Sequence, residues 1–221
     1  MANDPSPKDP TLETYERIAA QRGAEHDANN PGWLSEYVAF RKALPEGRIL
    51  EIGGGSGRDA ERFLKDGYRY VGLEPCLGFA AQTAQRLHAL HADDRWNVVA
   101  PATAADLPDL IRPQSFDGAW AMASLVHVPH ARIFHHLEAI QRALKSGGIL
   151  ALTLKKGVGE NIVDRSKDGV ADRRFYAFHE PEEVLSRLTR LLLQPVENNG
   201  WIETHDGSTS TTWLSFLMRK R

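Results

Sequence analysis

Apolar residues along this chain keep two different periods, and the change between them sets the order of elements. Leu12, Tyr15, Ile18 and Ala19 fall at helical spacing, and Leu34, Tyr37, Val38 and Phe40 do so again before Pro45 ends the run. From Arg48 onward, short uninterrupted apolar runs alternate with helical patterns. Arg48–Ile52, Tyr68–Leu73, Asn97–Ala100, Phe116–Met122 and Ile149–Leu154 predict strands. Between them, Ala60, Phe63 and Leu64 predict a helix closed by Gly67, and Leu77, Ala80, Ala81, Ala84, Leu87 and Leu90 a longer one. Ile133, Leu137, Ile140 and Leu144 predict another, ended by Ser146-Gly147-Gly148. Pro181 opens a helix through Val184, Leu185, Leu188 and Leu192. The tail predicts two strands, around Gln194–Ile202 and Thr211–Met218, split by the turn signal Asp206-Gly207-Ser208. Apolar strands alternating with helices predict an α/β sandwich on a mostly parallel sheet, with one antiparallel strand from the final pair.

The 221 residues show no linker and no repeat, so residues 11–221 read as one domain behind a flexible, Pro-rich arm at 1–10. Residues 11–46 form an N-terminal helical cover. A hydrophobic fraction of 42% with 25% charged residues excludes a disordered chain. Lys and Arg total 27 against 29 Asp and Glu, a net −2 that leaves no electrostatic footprint for nucleic acid. The longest strongly apolar stretch, Ala119–Val126, is too short to cross a membrane, and the first residues do not resemble a secretory signal. A single cysteine, Cys76, suits a reducing compartment, so a soluble cytoplasmic location is expected. These features leave an enzyme-sized domain of unspecified chemistry.

The chemistry enters at Ile49-Leu-Glu-Ile-Gly-Gly-Gly-Ser-Gly-Arg-Asp-Ala60. Glycines after a strand and before a helix let the backbone turn sharply and approach a ligand with free amides. No Gly-Lys-Ser/Thr follows, which excludes a P-loop. Gly55-Ser-Gly-Arg-Asp-Ala60 fits the dinucleotide pattern G-x-G-x-x-A, with Glu74 lying 19 residues after Gly55 as a ribose-binding acid. Two extra glycines before that match argue against it.

In the other register, Glu51-x-Gly53-x-Gly55-x-Gly57, the segment resembles the first motif of class I S-adenosylmethionine-dependent methyltransferases. The resemblance extends over about residues 48–155. It takes in Val71-Gly-Leu-Glu74-Pro75, Ala104-Ala-Asp-Leu107, Ser115-Phe-Asp-Gly-Ala-Trp120 and Leu144-Lys-Ser-Gly-Gly-Ile-Leu150, with Ser146 where the family usually has proline. It implies a Rossmann-like three-layer fold with a seven-stranded, mostly parallel sheet containing one antiparallel strand. It also implies S-adenosylmethionine as cofactor and S-adenosylhomocysteine as product. Glu74 would accept hydrogen bonds from both ribose hydroxyls. Asp106, with Ala105 and Leu107, would meet the adenine, although Asp106 and Asp109 equally suit a helix cap. Tyr15, Glu51, Gly53, Gly55, Gly57, Arg58, Pro75 and Met122 complete the expected cofactor set, Tyr15 serving either as a cover for the methionine end or as a packed residue.

His127 follows the fourth strand, at the sheet end where such folds bind ligands, and would be a proton acceptor or a shape-determining contact. His127 and His179 are the candidate catalytic groups. The cluster His127, His130, His135 and His136 lacks a completing cysteine or acid, so no metal is expected. After the fifth strand, Lys155-x-Gly157-x-Gly159-Glu160 and Asp172-Arg-Arg-Phe-Tyr-Ala-Phe-His179 form a substrate-side insertion spanning 155–179. This mix of cations and aromatics resembles a subgroup of small bacterial methyltransferases. Trp33, Tyr37, His127, Lys155, Arg173, Arg174 and Tyr176 are the expected acceptor contacts; Lys156, Trp201 and Trp213 lie in the same frame. Ala121-Met-Ala-Ser124 stands where nucleic-acid base methylases carry Asn/Asp-Pro-Pro-Tyr/Phe. A small molecule or short peptide is therefore the expected partner, with the cations pointing to a carboxylate, and the enzyme a monomer or homodimer. A nicotinamide-dependent oxidoreductase and a non-catalytic cofactor-binding subunit remain the alternatives.

Overall fold

The structure, a computed structural model of the chain, describes residues 9–29, 33–91, 97–166, 171–196, 200–205 and 211–221. Most of the expected arm and the turn Asp206–Ser208 lie outside these residues. Helices α1 (Pro10–Asn29) and α2 (Leu34–Ala43) precede β1 (Arg48–Ile52), α3 (Arg58–Lys65), β2 (Arg69–Leu73), α4 (Leu77–His91) and β3 (Val98–Ala100). A 3-10 turn at Ala104–Asp106 leads into α5 (Leu107–Leu110) and β4 (Phe116–Ala121); a second, Leu125–His127, leads into α6 (His130–Ala143). Then come β5 (Leu144–Lys156), β6 (Glu160–Asp164), β7 (Arg173–His179), α7 (Pro181–Arg190), β8 (Leu193–Pro195), β9 (Ile202–His205) and β10 (Thr212–Lys220).

The main sheet runs β3-β2-β1-β4-β5-β10-β8, and β10 is antiparallel to both its neighbours. Strand order reverses beside β1: the chain leaves it for β2 on one side and returns to β4 on the other. Ligands of such sheets bind outside the strand ends at this switch point. Alternation along the strands feeds two cores. Leu50, Ile52, Ala119 and Ala121 face a layer with Ile133, Leu137 and Leu188, while Ile49 and Trp120 face Phe40, Phe63 and Tyr68. No helix among the described residues is long and apolar enough to cross a membrane.

Three features depart from the sequence pattern. First, α6 ends at Ala143, and Leu144 already pairs with Phe116 in the sheet. The ladder then shifts register before Gly118 meets Ile149, and that irregularity takes up Ser146-Gly147-Gly148. Second, the tail strand expected over 194–202 is two strands, β8 and β9, which pair with opposite ends of β10 along the edge that β5 leaves free. Third, the insertion is an antiparallel hairpin, β6–β7, with β7 also parallel to β5 through Lys155↔Phe178 and Lys156↔His179. Its first strand is mostly exposed, so it has no apolar run to betray it.

Candidate active site

The loop after β1 is held from α4. Thr83 Oγ1 donates to the Gly55 carbonyl at 2.8 Å, and Arg86 Nε donates to that of Ser56 at 2.7 Å. Gly57 explains its own presence: its φ is +84°, and a Cβ there would stand 2.9 Å from Thr83 Oγ1. Gly55 is the opposite case. Its φ is +56°, yet a Cβ would meet nothing within 4 Å, so the loop borders open space.

Glu74, at the end of β2, closes this space from the other side. Its Oε2 accepts from the Gly55 amide at 2.8 Å and its Oε1 from the Cys76 amide at 2.9 Å. Burial pushes its pKa up, against the pull of those two amides. Glu51 on β1 is buried too and accepts from the Tyr70 hydroxyl at 2.6 Å. Burial, with Asp59 nearby, raises the Glu51 carboxyl to about 8. Asp59, at 5% exposed, accepts from Trp120 Nε1 at 3.1 Å and faces the guanidinium groups of Arg58 and Arg62. The loop is thus flanked by buried carboxyls. Ser56 Oγ and Ser124 Oγ are buried there without a partner among the described residues.

Helix α1 braces the site at two points. Glu16 accepts from the Leu77 and Gly78 amides at 2.6 and 3.1 Å, capping α4 from outside. Thr14 Oγ1 donates to the Arg173 carbonyl and accepts from its amide, and Thr11 Oγ1 accepts from Phe175 N at 2.9 Å. Helix side chains therefore occupy the backbone groups of β7 that the sheet leaves unpaired.

This bracing carries Tyr15 into the site. Its ring lies 5.8 Å from Phe79 and edge-on to His127 at 5.5 Å, with the Arg174 guanidinium 5.1 Å from its centroid. The Tyr15 hydroxyl is 3.0 Å from His127 Nε2, and His127 Nδ1 is 2.6 Å from the Phe175 carbonyl oxygen. A carbonyl oxygen only accepts, so Nδ1 carries the proton and Nε2 accepts from Tyr15. Burial, with Arg174 and Lys155 close by, lowers the His127 pKa to about 4. Tyr176 stacks 4.8 Å from His127, and Lys155 sets its ammonium 3.7 Å over the Tyr176 ring. Arg174 is itself paired with Asp172 through two nitrogens.

The structure therefore groups Tyr15, His127, Arg174, Tyr176 and Lys155, and it groups Glu51, Gly55 and Glu74. Other candidates lie elsewhere. Tyr37 is 4% exposed, packs on Phe63 and Trp120, and donates to Asp66 at 2.5 Å, so it is a core residue. Arg173 alternates to the other side of β7 from Arg174 and sits 58% exposed opposite Asp164, away from the grouped cations. His179 packs 4.8 Å from His130, with Glu183 and Arg187 as charged neighbours and its pKa lowered to about 4 by burial. Among the described contacts, His179 thus meets His130 and not Tyr15 or His127. Asp106 Oδ2 accepts from the Thr103 amide and hydroxyl at 2.7 and 2.8 Å in a capping box at the 3-10 turn. Leu107 is buried in the main core, Met122 in the second. Pro75 and Asp109 are exposed, and Ala105 and Gly53 half-buried. Trp33 packs edge-on against Trp213 at 5.0 Å, and Trp213 in turn lies 5.5 Å from the Lys155 ammonium. Trp201 packs on the main core, and Lys156 pairs with Glu203 at 2.8 Å. The sequence reading missed Thr11, Thr14, Glu16 and Asp59. Thr11 and Thr14 have helical spacing, but polar partners that distant leave no local trace.

Residues 50–150 match the family of methyltransferase domains. A ubiquinone biosynthesis O-methyltransferase of Xanthomonas campestris pv. campestris is 33% identical over 128 residues, 57% of this chain and 50% of that one. The chain thus spans about half the length of that relative. Among solved structures, the 1,6-didemethyltoxoflavin-N1-methyltransferase of Burkholderia thailandensis superposes with a TM-score of 0.66 at 17% identity, covering 97% of this chain and 92% of the other. A SAM-dependent methyltransferase of Thermotoga maritima gives 0.60 at 22% identity, covering 96% and 100%. These structural likenesses show the fold.

Proposed function

We propose that the chain, whose residues 50–150 match the methyltransferase-domain family, is a class I S-adenosylmethionine-dependent methyltransferase that transfers a methyl group to an O, N or S nucleophile of a small molecule or short peptide. The observation that carries this reading is Glu74, whose two oxygens bridge the Gly55 and Cys76 amides beside the open space at Gly55. A carboxylate there has lone pairs left for a ribose diol, and charge-assisted bonds are the strong kind. The buried, unpartnered hydroxyls of Ser56 and Ser124 give a bound cofactor further polar partners.

Charge supports a sulfonium cofactor over a dinucleotide. A dinucleotide pyrophosphate would be set at the α3 N-terminus, where buried Asp59 in the first turn disfavours an anion, while Glu51 beside it, raised to about 8, is largely protonated near pH 7. A cation beside them is favoured and would draw the Glu51 pKa down. Bound S-adenosylmethionine supplies an electrophilic methyl group on a cationic sulfur. The chain's task is to hold the nucleophile in line with it and to exclude water, a contribution of roughly 7 kcal/mol or more.

His127 defines what kind of nucleophile suits the site. With its proton on Nδ1 and a pKa of about 4, it orients a hydrogen-bonding group well and takes a proton poorly. A carboxylate acceptor arrives ionised and needs no base. Lys155, its ammonium over Tyr176, supplies positive charge beside His127 and supports an anionic acceptor, while Arg174 is already paired with Asp172. Calorimetry tests the reading: S-adenosylhomocysteine should bind in the micromolar range and raise the melting temperature, and NAD should do neither. The reverse result would favour the oxidoreductase. Cofactor binding without transfer of a labelled methyl group to any acceptor would favour a non-catalytic subunit.

A further inference from the structure

Between the β6–β7 hairpin and the ends of β5 and β10 lies a half-open cavity of about 400 Å³. Its wall is Lys155, Lys156, Arg165, Val163, Phe178, Thr211 and Thr212. Among the described residues, three cations and no carboxylate line this space. Lys156 is matched by Glu203 at its outer rim. Arg165 makes no ion pair among the described residues, and its guanidinium lies 5.8 Å from the Tyr176 centroid. Lys155 is only 5% exposed, with its ammonium 3.7 Å over that same ring. Tyr176 therefore gathers Lys155, Arg165 and His127 around one aromatic side chain, joining the cavity to the grouped residues of the active site.

An ammonium and a guanidinium fork on one wall suit an anion, and the planar fork matches a carboxylate best. Val163 and Phe178 offer an apolar wall for a small body, and the hydroxyls of Thr211 and Thr212 stand at the remaining side. The volume lies at the small end of ligand sites. We propose that this cavity is the anchoring subsite for the acceptor: it takes an organic carboxylate with a compact apolar or aromatic body, gripped by Lys155 and Arg165. This inference rests on the methyl-transfer reading for its biological meaning, but anion binding can be read without it.

Benzoate is the probe, titrated calorimetrically into the full chain with and without S-adenosylhomocysteine. Benzoate should bind, and Lys155→Met and Arg165→Gln should each weaken it by about tenfold or more. Arg165 is exposed, so its variant keeps the fold; an unchanged melting temperature confirms that in each case. Benzamide, the neutral isostere, should not bind, and inorganic phosphate should bind more weakly than benzoate. Absent benzoate binding, affinity unchanged in the Arg165 variant, equal binding of benzamide, or equal binding of phosphate would each overturn the carboxylate subsite. Failure of S-adenosylhomocysteine to bind, with benzoate still held by Arg165, would instead overturn the methyl-transfer reading and leave the subsite standing.

Discussion

Tyr15 and His127 hold each other in one protonation arrangement. The Phe175 carbonyl fixes the His127 proton on Nδ1, the Tyr15 hydroxyl fills the Nε2 lone pair at 3.0 Å, and the neighbouring cations Arg174 and Lys155 disfavour a second proton. The pair links the N-terminal helix to the loop after β4.

Turnover should therefore be insensitive to histidine titration. His127 is depressed from 6.5 to about 4, so its protonation state does not change between pH 6 and 8. The rate on a true acceptor should stay level across that range. Tyr15→Phe keeps the ring contacts with Phe79 and Arg174 and costs about 1 kcal/mol of stability for the lost hydrogen bond. A rate that falls through pH 6.5 in the wild type would show His127 working as a general base.

Glu74→Ala should weaken S-adenosylhomocysteine by about 2 kcal/mol, the scale of lost charge-assisted bonds. The substitution also frees the Gly55 and Cys76 amides, both of which can turn to water in the open space. Isothermal calorimetry on the variant checks this; wild-type affinity would remove Glu74 from the ribose site.

Gly55→Ala and Gly57→Ala should fail in different ways. Both positions have positive φ, so each costs roughly 1–2 kcal/mol in backbone strain. At Gly57 the new methyl also collides with Thr83, and the melting temperature should drop further. At Gly55 the methyl enters empty space, so the fold survives while cofactor affinity is lost. Chemical denaturation beside calorimetry separates the two outcomes.

Stability should pass through a maximum near pH 6–7. His127, His136 and His179 are each lowered from 6.5 to about 4, mainly by burial. Folded-state pKa values below the unfolded ones mean that the unfolded chain takes up more protons in acid. Their contribution is full above pH 6.5 and is lost as pH falls toward 4, at about 1.4 kcal/mol per unit for each group. Glu51 acts in the opposite sense. It is raised from 4.5 to about 8, so its contribution is full below pH 4.5 and is lost as pH rises through 8. Urea midpoints across pH 4–9 should trace this dome.

His136 offers a separate check on the acid side. It is 3% exposed, and neither ring nitrogen has a partner among the described residues. His136→Leu should raise stability by about 1–3 kcal/mol at pH 7 and flatten the acid limb. Glu51→Gln should flatten the alkaline limb alone. An unchanged acid slope in His136→Leu would mean that the imidazole is satisfied by water.

The order of strands and helices, the glycine loop and Glu74 at the end of β2 were legible from the chain itself, because apolar periodicity and turn residues are local properties. Arg48–Ile52 matches its strand end for end. Which residues reach the site was not legible, because that depends on partners far apart in sequence. Tyr37 and Tyr15 sit at similar places in two helical patterns. Packing sends Tyr37 onto Phe63 and Trp120 and sends Tyr15 onto His127, 112 residues away. Arg173 and Arg174 are equal as sequence, and only the pairing of β7 with β6 turns one outward and buries the other. Asp106 was readable as a ligand or as a cap, and its Oδ2 bonds to Thr103 show the cap. Periodicity names the face of an element; tertiary structure alone decides what that face meets.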